Sequence, residues 1–317
     1  MSVKAPLPVY VLHWNAPDRL MRSLGSISSS VGVPLRLTVV DNGSDPDLGA
    51  DLEQQLPSSV RLIRLHTNTG YSGAANAALA DHFSNPDLPD LIVLAAHDLL
   101  TEANCLSRLA SAAASHPDFG LLGPAHHGRT LDGAAHWIGG RFLGAKGAPF
   151  ARPPASLGEE PDLVIETDWV PGMLMCFRTD CMRQVGSFDE QLFAYWEDVD
   201  ISLRVSKAGW RVGVVPAAVA AEQGYSSSVF NQSYFVARNR ILVVGKFLGV
   251  RRYAAAARVA GRALSAWIGS CLPTRTAEHR RRSRAHAAGR WAGVRDGVRR
   301  RGGPPPSPGR VARDRRG

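Results

Sequence analysis

Leu35-Arg36-Leu37-Thr38-Val39-Val40-Asp41-Asn42-Gly43-Ser44 decides the fold class. An aliphatic run breaks off at a carboxylate, an Asn-Gly turn and a hydroxyl, which reads as a strand ending at a polar edge. The same punctuation recurs on both sides. Upstream, Val9-Tyr10-Val11-Leu12 is a short apolar strand ending at His13-Trp14-Asn15, and Pro17-Asp18 opens a helix reaching about Ser30. Downstream, a helix from about Asp47 to Gln55 leads to the strand Arg61-Leu62-Ile63-Arg64-Leu65. The loop Asn68-Thr69-Gly70-Tyr71-Ser72-Gly73 then feeds an Ala-rich helix to about His82. Leu91-Ile92-Val93-Leu94 is the fourth strand, ending at His97-Asp98, and Thr101-Glu102 starts another helix. Strands alternating with helices through short connections predict an α/β fold: a mostly parallel nucleotide-binding sheet with helices on both faces. Asn15, Asp41, Asn68 and Asp98 each fall just past a strand's carboxyl end, where open α/β sheets bind ligands.

The second half is more mixed. Gly120 to Gly123 and Trp169 to Phe177 read as strands, separated by a Gly/Pro-rich loop from about Gly139 to Pro161. Phe193-Ala194-Tyr195-Trp196-Glu197-Asp198-Val199-Asp200 packs three carboxylates and large aromatics into the start of a helix that closes at Lys207-Ala208-Gly209. Helix capping accounts for acidic residues there but not for Tyr195 and Trp196. A carboxylate base beside a ring able to stack on a sugar accounts for both. Crowded like charge raises such a carboxyl's proton affinity and the helix dipole lowers it. Arg211 to Pro216 is the last strand.

The chain has 317 residues, 44% of them hydrophobic, enough for a large core. Its net charge of +9 is unevenly spread: residues 251–317 hold 18 Arg, no Lys and three acids, a charge of +15, and the other 250 residues carry −6. Cys105, Cys176, Cys181 and Cys271 form no metal or disulfide pattern and are expected as reduced thiols. No signal-peptide core or spanning segment is read in the sequence, so the expected address is cytoplasmic. Val250, Tyr253, Ala257, Ala260, Leu264, Trp267 and Cys271 recur at helical spacing opposite Arg251, Arg252, Arg258 and Arg262. Two readings fit: a basic amphipathic helix on an anionic membrane surface, or a stripe packed on the catalytic domain. The expected organisation is a catalytic domain over 1–248, with a nucleotide-sugar half to about 125 and an acceptor half beyond. A C-terminal basic helical extension over 249–273 and an Arg-rich tail over 274–317, expected to be disordered, follow.

In order, His13-Trp14-Asn15, Val40-Asp41-Asn42-Gly43-Ser44, Asn68 to Asn76, His97-Asp98, Trp196-Glu197-Asp198-Val199-Asp200 and Tyr234-Phe235-Val236-Ala237-Arg238-Asn239 resemble the inverting family-2 glycosyltransferases, in particular their rhamnosyltransferase-like branch. The resemblance covers about Val9 to Phe247. It implies a glycosyltransferase-A type fold, a nucleotide-diphosphate-sugar donor such as dTDP-rhamnose or a UDP-sugar, a hydroxyl acceptor and a divalent metal, Mg²⁺ or Mn²⁺. Asp198 becomes the general base. Asn15, Asp41, Asn68, Gly70, Asn76 and Arg238 become donor contacts, Trp196 and Glu197 acceptor contacts, and Asp98 the metal ligand. Ala96-His97-Asp98 departs from the Asp-x-Asp of most relatives, and Glu222 stands where they place a histidine. A glutamate there suits a hard cation.

Two other classes were weighed. A sugar nucleotidyltransferase wants a basic Gly-rich loop near the N-terminus, and Val11 to Arg22 holds none. A nucleic-acid binder would rest on the arginine tail, but the chain lacks interleaved aromatics and its first 250 residues are acidic, so no specific nucleic acid is expected.

Overall fold

Along β1 (Leu7–His13), Val9 and Val11 enter one hydrophobic core while Tyr10 and Leu12 enter a second. That alternation makes this a central strand with both faces covered. The computed structural model describes residues 5–127, 139, 140, 142, 163–224, 228–271 and 276–305. Among them, β2 (Leu35–Asp41), β3 (Arg61–Arg64), β4 (Leu91–Ala96), β5 (Leu99–Thr101), β6 (Phe119–His126), β7 (Ile165–Glu166), β8 (Leu174–Arg178) and β9 (Arg211–Glu222) complete one sheet. Its order is β3-β2-β1-β4-β8-β6-β9-β5, with β7 also on β9. β3, β2, β1, β4, β6 and β9 run one way, and β5, β7 and β8 run against them.

One face is covered by α1 (Pro17–Ser28), α2 (Pro46–Gln55) and α4 (Cys105–Ser115), through Leu20, Leu24, Ile27, Leu52, Leu106 and Leu109. The other is covered by α3 (Gly70–Phe83), α5 (Thr179–Val185) and α6 (Glu197–Lys207), through Ala74, Ala78, Leu79, Met182, Ile201 and Val205. The expected strands and helices are present, with two differences. Thr101-Glu102 does not start a helix: Leu99–Thr101 is a strand on β9, and α4 begins at Cys105. β9 also runs beyond Pro216 to Glu222. The proline, which cannot donate to a ladder, is set into an irregularity where register jumps from Pro124↔Val215 to Ala125↔Val219. The strand then resumes, and its end pairs Glu222 with Leu99.

The chain divides into two compact units, so the boundary expected at 248 falls elsewhere. The sheet and its helices form the first. The second gathers Glu190–Trp196 with the described residues from 228 onward, including α7 (Val229–Leu248), α8 (Arg252–Cys271) and α9 (Ala277–Val298). The division shifts because α7 packs along α8 and α9.

Residues 277–298 correct the expectation of disorder from Thr274. Thr276 caps α9 by accepting from the His279 amide at 3.2 Å. Gly289, Gly293 and Gly297 lie so near α7 that an added Cβ would stand 2.5 Å from the Phe230 carbonyl oxygen, 2.5 Å from that of Tyr234 and 2.9 Å from that of Arg238. A small-residue stripe at four-residue spacing lets two helix backbones touch. On α8 the buried side is Ala255, Ala256, Val259 and Ala263, so the packed-stripe reading does not hold. Tyr253, Leu264, Trp267 and Ile268 are about half exposed, at 47–56%. No helix among the described residues is long and apolar enough to cross a membrane.

Candidate active site

Strand direction assembles the site. β1, β2, β4 and β9 deliver their carboxyl ends to one rim of the sheet, and β8, running against β4, begins there. The Ala96 amide donates to the Met173 carbonyl at 2.8 Å, which sets Gly172-Met173 beside the end of β4. Gly172 in turn holds the base candidate: its amide donates to Asp198 Oδ2 at 3.1 Å, and the Val199 amide donates to Oδ1 at 2.8 Å. The Tyr71 hydroxyl donates to the Gly172 carbonyl at 2.6 Å. Tyr71 and Gly172 were not singled out in the sequence, although Tyr71 lies inside the loop read for its glycines.

The three carboxylates of the acidic motif have different environments. Asp200 is fully buried and bonded to Arg204 Nε at 2.9 Å, a structural pair. Glu197 is 6% exposed, and its Oε2 is enclosed with no hydrogen-bond partner. Burial first, then the neighbouring Asp198, push its carboxyl well above the usual range. Asp198 is only partly buried; burial raises its carboxyl to about 6 while the Gly172 and Val199 amides restrain the rise. Two adjacent acids are thereby set apart: burial and the neighbouring charge favour the neutral form of Glu197, while two backbone amides favour the anion of Asp198. Glu197, expected as an acceptor contact, has its carboxyl enclosed directly beside Asp198. The same two acids, after burial, keep the Tyr71 phenol protonated.

At the end of β4, Asp98 faces Arg19 Nη1 at 3.9 Å, and its carbonyl accepts from the Gln223 amide at 2.8 Å. The β5–β9 pairing places Glu222 alongside, where burial and then the Asp98 charge lift its carboxyl to about 7. His97 adds no third donor, since its ring lies edge-on to His13 with centroids 5.3 Å apart and Nδ1 on the Leu12 carbonyl. Among the described residues no cluster of three or more metal-binding side chains occurs. Two oxygen donors crowded together fit a hard cation whose remaining positions go to phosphate and water.

The nucleotide loops are organised differently from expectation. Asn42, read only as a turn residue, is the organiser: its amide donates to the Gly70 carbonyl and Asn68 Oδ1, and its Oδ1 accepts from the Thr69 amide and hydroxyl, all within 2.8–3.1 Å. Asn68 Oδ1 also takes the Gly70 amide at 2.8 Å, so that N–H is engaged rather than offered to a phosphate. Gly43, at φ +67, has no room for a Cβ, which would lie 2.4 Å from the Thr67 backbone. Asn15 ties its amide to Asp45, and Asn76 clamps the backbone amide and carbonyl of Phe188. These side chains, expected as donor contacts, brace the backbone of the rim. Asp41 is different: it is 1% exposed, Oδ1 accepts from the Ser44 amide, and Oδ2, 3.5 Å from Arg64 Nε, has no hydrogen-bond partner.

Residues 5–241 match the family model described as glycosyltransferase like family 2. The chain belongs to that family. It is a glycosyltransferase of the rhamnosyltransferase branch: the N-acetylglucosaminyl-diphospho-decaprenol L-rhamnosyltransferase of Mycobacterium tuberculosis (strain CDC 1551 / Oshkosh) is 29% identical over 230 residues, 67% of this chain and 74% of the relative. Rhamnosyltransferase WbbL of Escherichia coli K12 is 35% identical over 86 residues, 24% of this chain and 33% of the relative. Among solved structures, GalNAc-T7 with UDP, GalNAc and Mn²⁺ superposes with a TM-score of 0.64 at 15% identity, over 90% of this chain. The chain spans 55% of the GalNAc-T7 chain. The mannosyltransferase PcManGT of Pyrobaculum calidifontis, solved with GDP-Man and Mn²⁺, gives 0.56 at 16% identity, over 94% of this chain and 88% of its own. The fold is the glycosyltransferase-A type.

Within the second unit of this glycosyltransferase, Arg238 corrects the donor assignment. It is fully buried, and its guanidinium donates to the carbonyls of Gln191, Leu192 and Gly303 and to Asn239 Oδ1 at 2.5–3.0 Å. Asn239 donates to the carbonyls of Leu192, Ala194 and Tyr195 at 2.6–2.8 Å. Together they hold a strained segment: Phe193, Tyr195 and Trp196 all take φ of +63 to +70, where only glycine sits without cost. Trp196 is partly exposed and is the last residue before Glu197.

Proposed function

We propose that this enzyme is an inverting glycosyltransferase that moves a sugar from a nucleotide-diphosphate donor, dTDP-rhamnose or a UDP-sugar, to an acceptor hydroxyl. The acceptor is a glycan, a lipid-linked glycan or a small molecule. The observation that carries the reading is Asp198: a partly exposed carboxyl raised to about 6, beside an acid whose own proton affinity is pushed well above the usual range. Asp198 takes the proton of the acceptor hydroxyl as its oxygen attacks the anomeric carbon, and the nucleoside diphosphate departs on the opposite side. Asp41 Oδ2 supplies a buried acceptor for nucleoside hydroxyls or base amides, and the partly exposed ring of Trp196 supports stacking on the acceptor. Asp98 and Glu222 would hold a divalent metal, whose positive charge would offset that of the leaving diphosphate.

Because the base works deprotonated, turnover should fall as pH drops through about 6 and level off above it. A pH–rate profile under saturating donor checks this, and a rate independent of pH between 5 and 8 removes Asp198 from the proton transfer. The donor class is tested by a thermal-shift series with UDP, dTDP and GDP, with and without Mn²⁺. One diphosphate should raise the midpoint well above the others, with a metal-dependent part that Asp98→Asn removes. No shift with any of the three sinks the donor assignment.

The exposed stripe Tyr253, Leu264, Trp267 and Ile268 on an arginine-bearing helix supports a place on the anionic inner face of the cell membrane, with the catalytic unit cytoplasmic. The protein should sediment with phosphatidylglycerol vesicles and not with phosphatidylcholine alone, and Trp267→Glu with Ile268→Glu should lower that binding at least tenfold. Equal sedimentation of the variant refutes the placement.

A further inference from the structure

A cavity of about 250 Å³ opens among α7, α8 and α9, and its lining includes none of the residues assigned a part in sugar transfer. Its polar lining is Gln232, Ser233 and Arg240 of α7, Arg262 of α8, and His286 and Arg290 of α9. None of the lining residues is acidic. Arg240 is only 5% exposed, an unusual setting for a side chain that cannot shed its charge. The arrangement is built: Arg290 Nη1 donates to the Arg262 carbonyl at 3.2 Å, and Ser233 Oγ is hydrogen-bonded to His286 Nδ1 at 2.7 Å.

The electrostatics run one way. Arg262 and Arg258 press on Arg240 with like charge, Arg262 on Arg290, and Arg290 and Arg282 on His286; burial is the larger cause in each case, and all three side chains hold protons less tightly than usual. Gathering three guanidiniums around one hollow costs free energy that a bound anion returns through charge-assisted hydrogen bonds. Planar forked donors match phosphate oxygens, and the volume lies below the roughly 300–1,000 Å³ of pockets for drug-sized ligands, so the space suits a head group rather than a whole nucleotide.

We propose that the hollow formed by Arg240, Arg262, Arg290, His286, Ser233 and Gln232 is a binding site for a phosphate-class anion, a phosphomonoester or diphosphate group, separate from the donor site. It stands independently of the sugar-transfer reading, because every residue in it lies in the second unit. The charge pattern and the cavity size, not the raised or lowered proton affinities, select that ligand.

The test is calorimetric titration of the full chain with inorganic diphosphate in EDTA, which removes the metal-assisted contribution of the donor rim. Saturable binding is expected, with affinity at least tenfold lower in Arg262→Gln/Arg290→Gln and unchanged in Arg251→Gln, an exposed arginine outside the cavity. The double variant's circular dichroism and unliganded thermal midpoint verify that it is folded. Vesicles carrying phosphatidic acid are then added to the diphosphate complex: displacement assigns the site to a lipid phosphate, and retention assigns it to a soluble one. Absence of saturable binding overturns the proposal. So does equal affinity in the double variant, or an equal loss in Arg251→Gln, which would reduce the effect to general charge.

Discussion

Asp198→Asn should lower sugar transfer by about 10²–10⁴-fold, the usual contribution of a positioned base, while leaving nucleotide affinity intact. The side chain keeps its size but only one acceptor oxygen, so the variant loses the charge together with one of the two bonds from the Gly172 and Val199 amides. Glu197→Gln is the matched comparison. Burial and the neighbouring Asp198 favour the neutral form of Glu197, and its amide counterpart is nearly isosteric with that form, so transfer should fall by less than about tenfold. Turnover assays of both variants, with nucleotide binding followed separately, decide the assignment. A severe loss in Glu197→Gln with a mild one in Asp198→Asn would exchange their roles.

Arg238→Met should destabilise the second unit by about 3 kcal/mol or more. The substitution removes the donors to three backbone carbonyls, and each buried acceptor left unpaired bears its own desolvation cost. Two of those carbonyls, Gln191 and Leu192, belong to the segment whose left-handed residues need external restraint. Hydrogen-exchange protection over 190–196 should therefore collapse before that of β1 and β4. A variant with wild-type protection there would show that the strain is held by other means, the stacking of Phe193 on Phe235 among them.

Much of the donor half was readable along the chain because its signals are local. An aliphatic strand, a polar stop and a helix start lie within a few residues of one another, so Asp41 and Asp98 could be placed at strand ends without coordinates. The side-chain roles were less readable, since they depend on partners distant in sequence. Asn15, Asn68, Asn76 and Arg238 have the chemistry of ligand contacts, and the folded chain uses that chemistry on its own backbone. Asn42 was passed over because Asn-Gly already explains itself as a turn. The glycine stripe of α9 was hidden by arginines, whose charge dominates composition while three glycines set the packing.

The sequence by itself determined the alternation of strands and helices, the rim where polar residues collect, the acidic helix start and the separation of a neutral-to-acidic catalytic part from a basic extension. Only the tertiary structure decided how the adjacent carboxyls of Glu197 and Asp198 come to differ in proton affinity, through burial and through the Gly172 amide that β8 brings from the antiparallel direction. It also decided that Glu222 stands beside Asp98, by carrying β9 past Pro216 to meet β5. Periodicity and turn chemistry act over a few residues and are written in order along the chain. Desolvation and charge coupling act across space, and arise only when distant segments exclude water from the same volume.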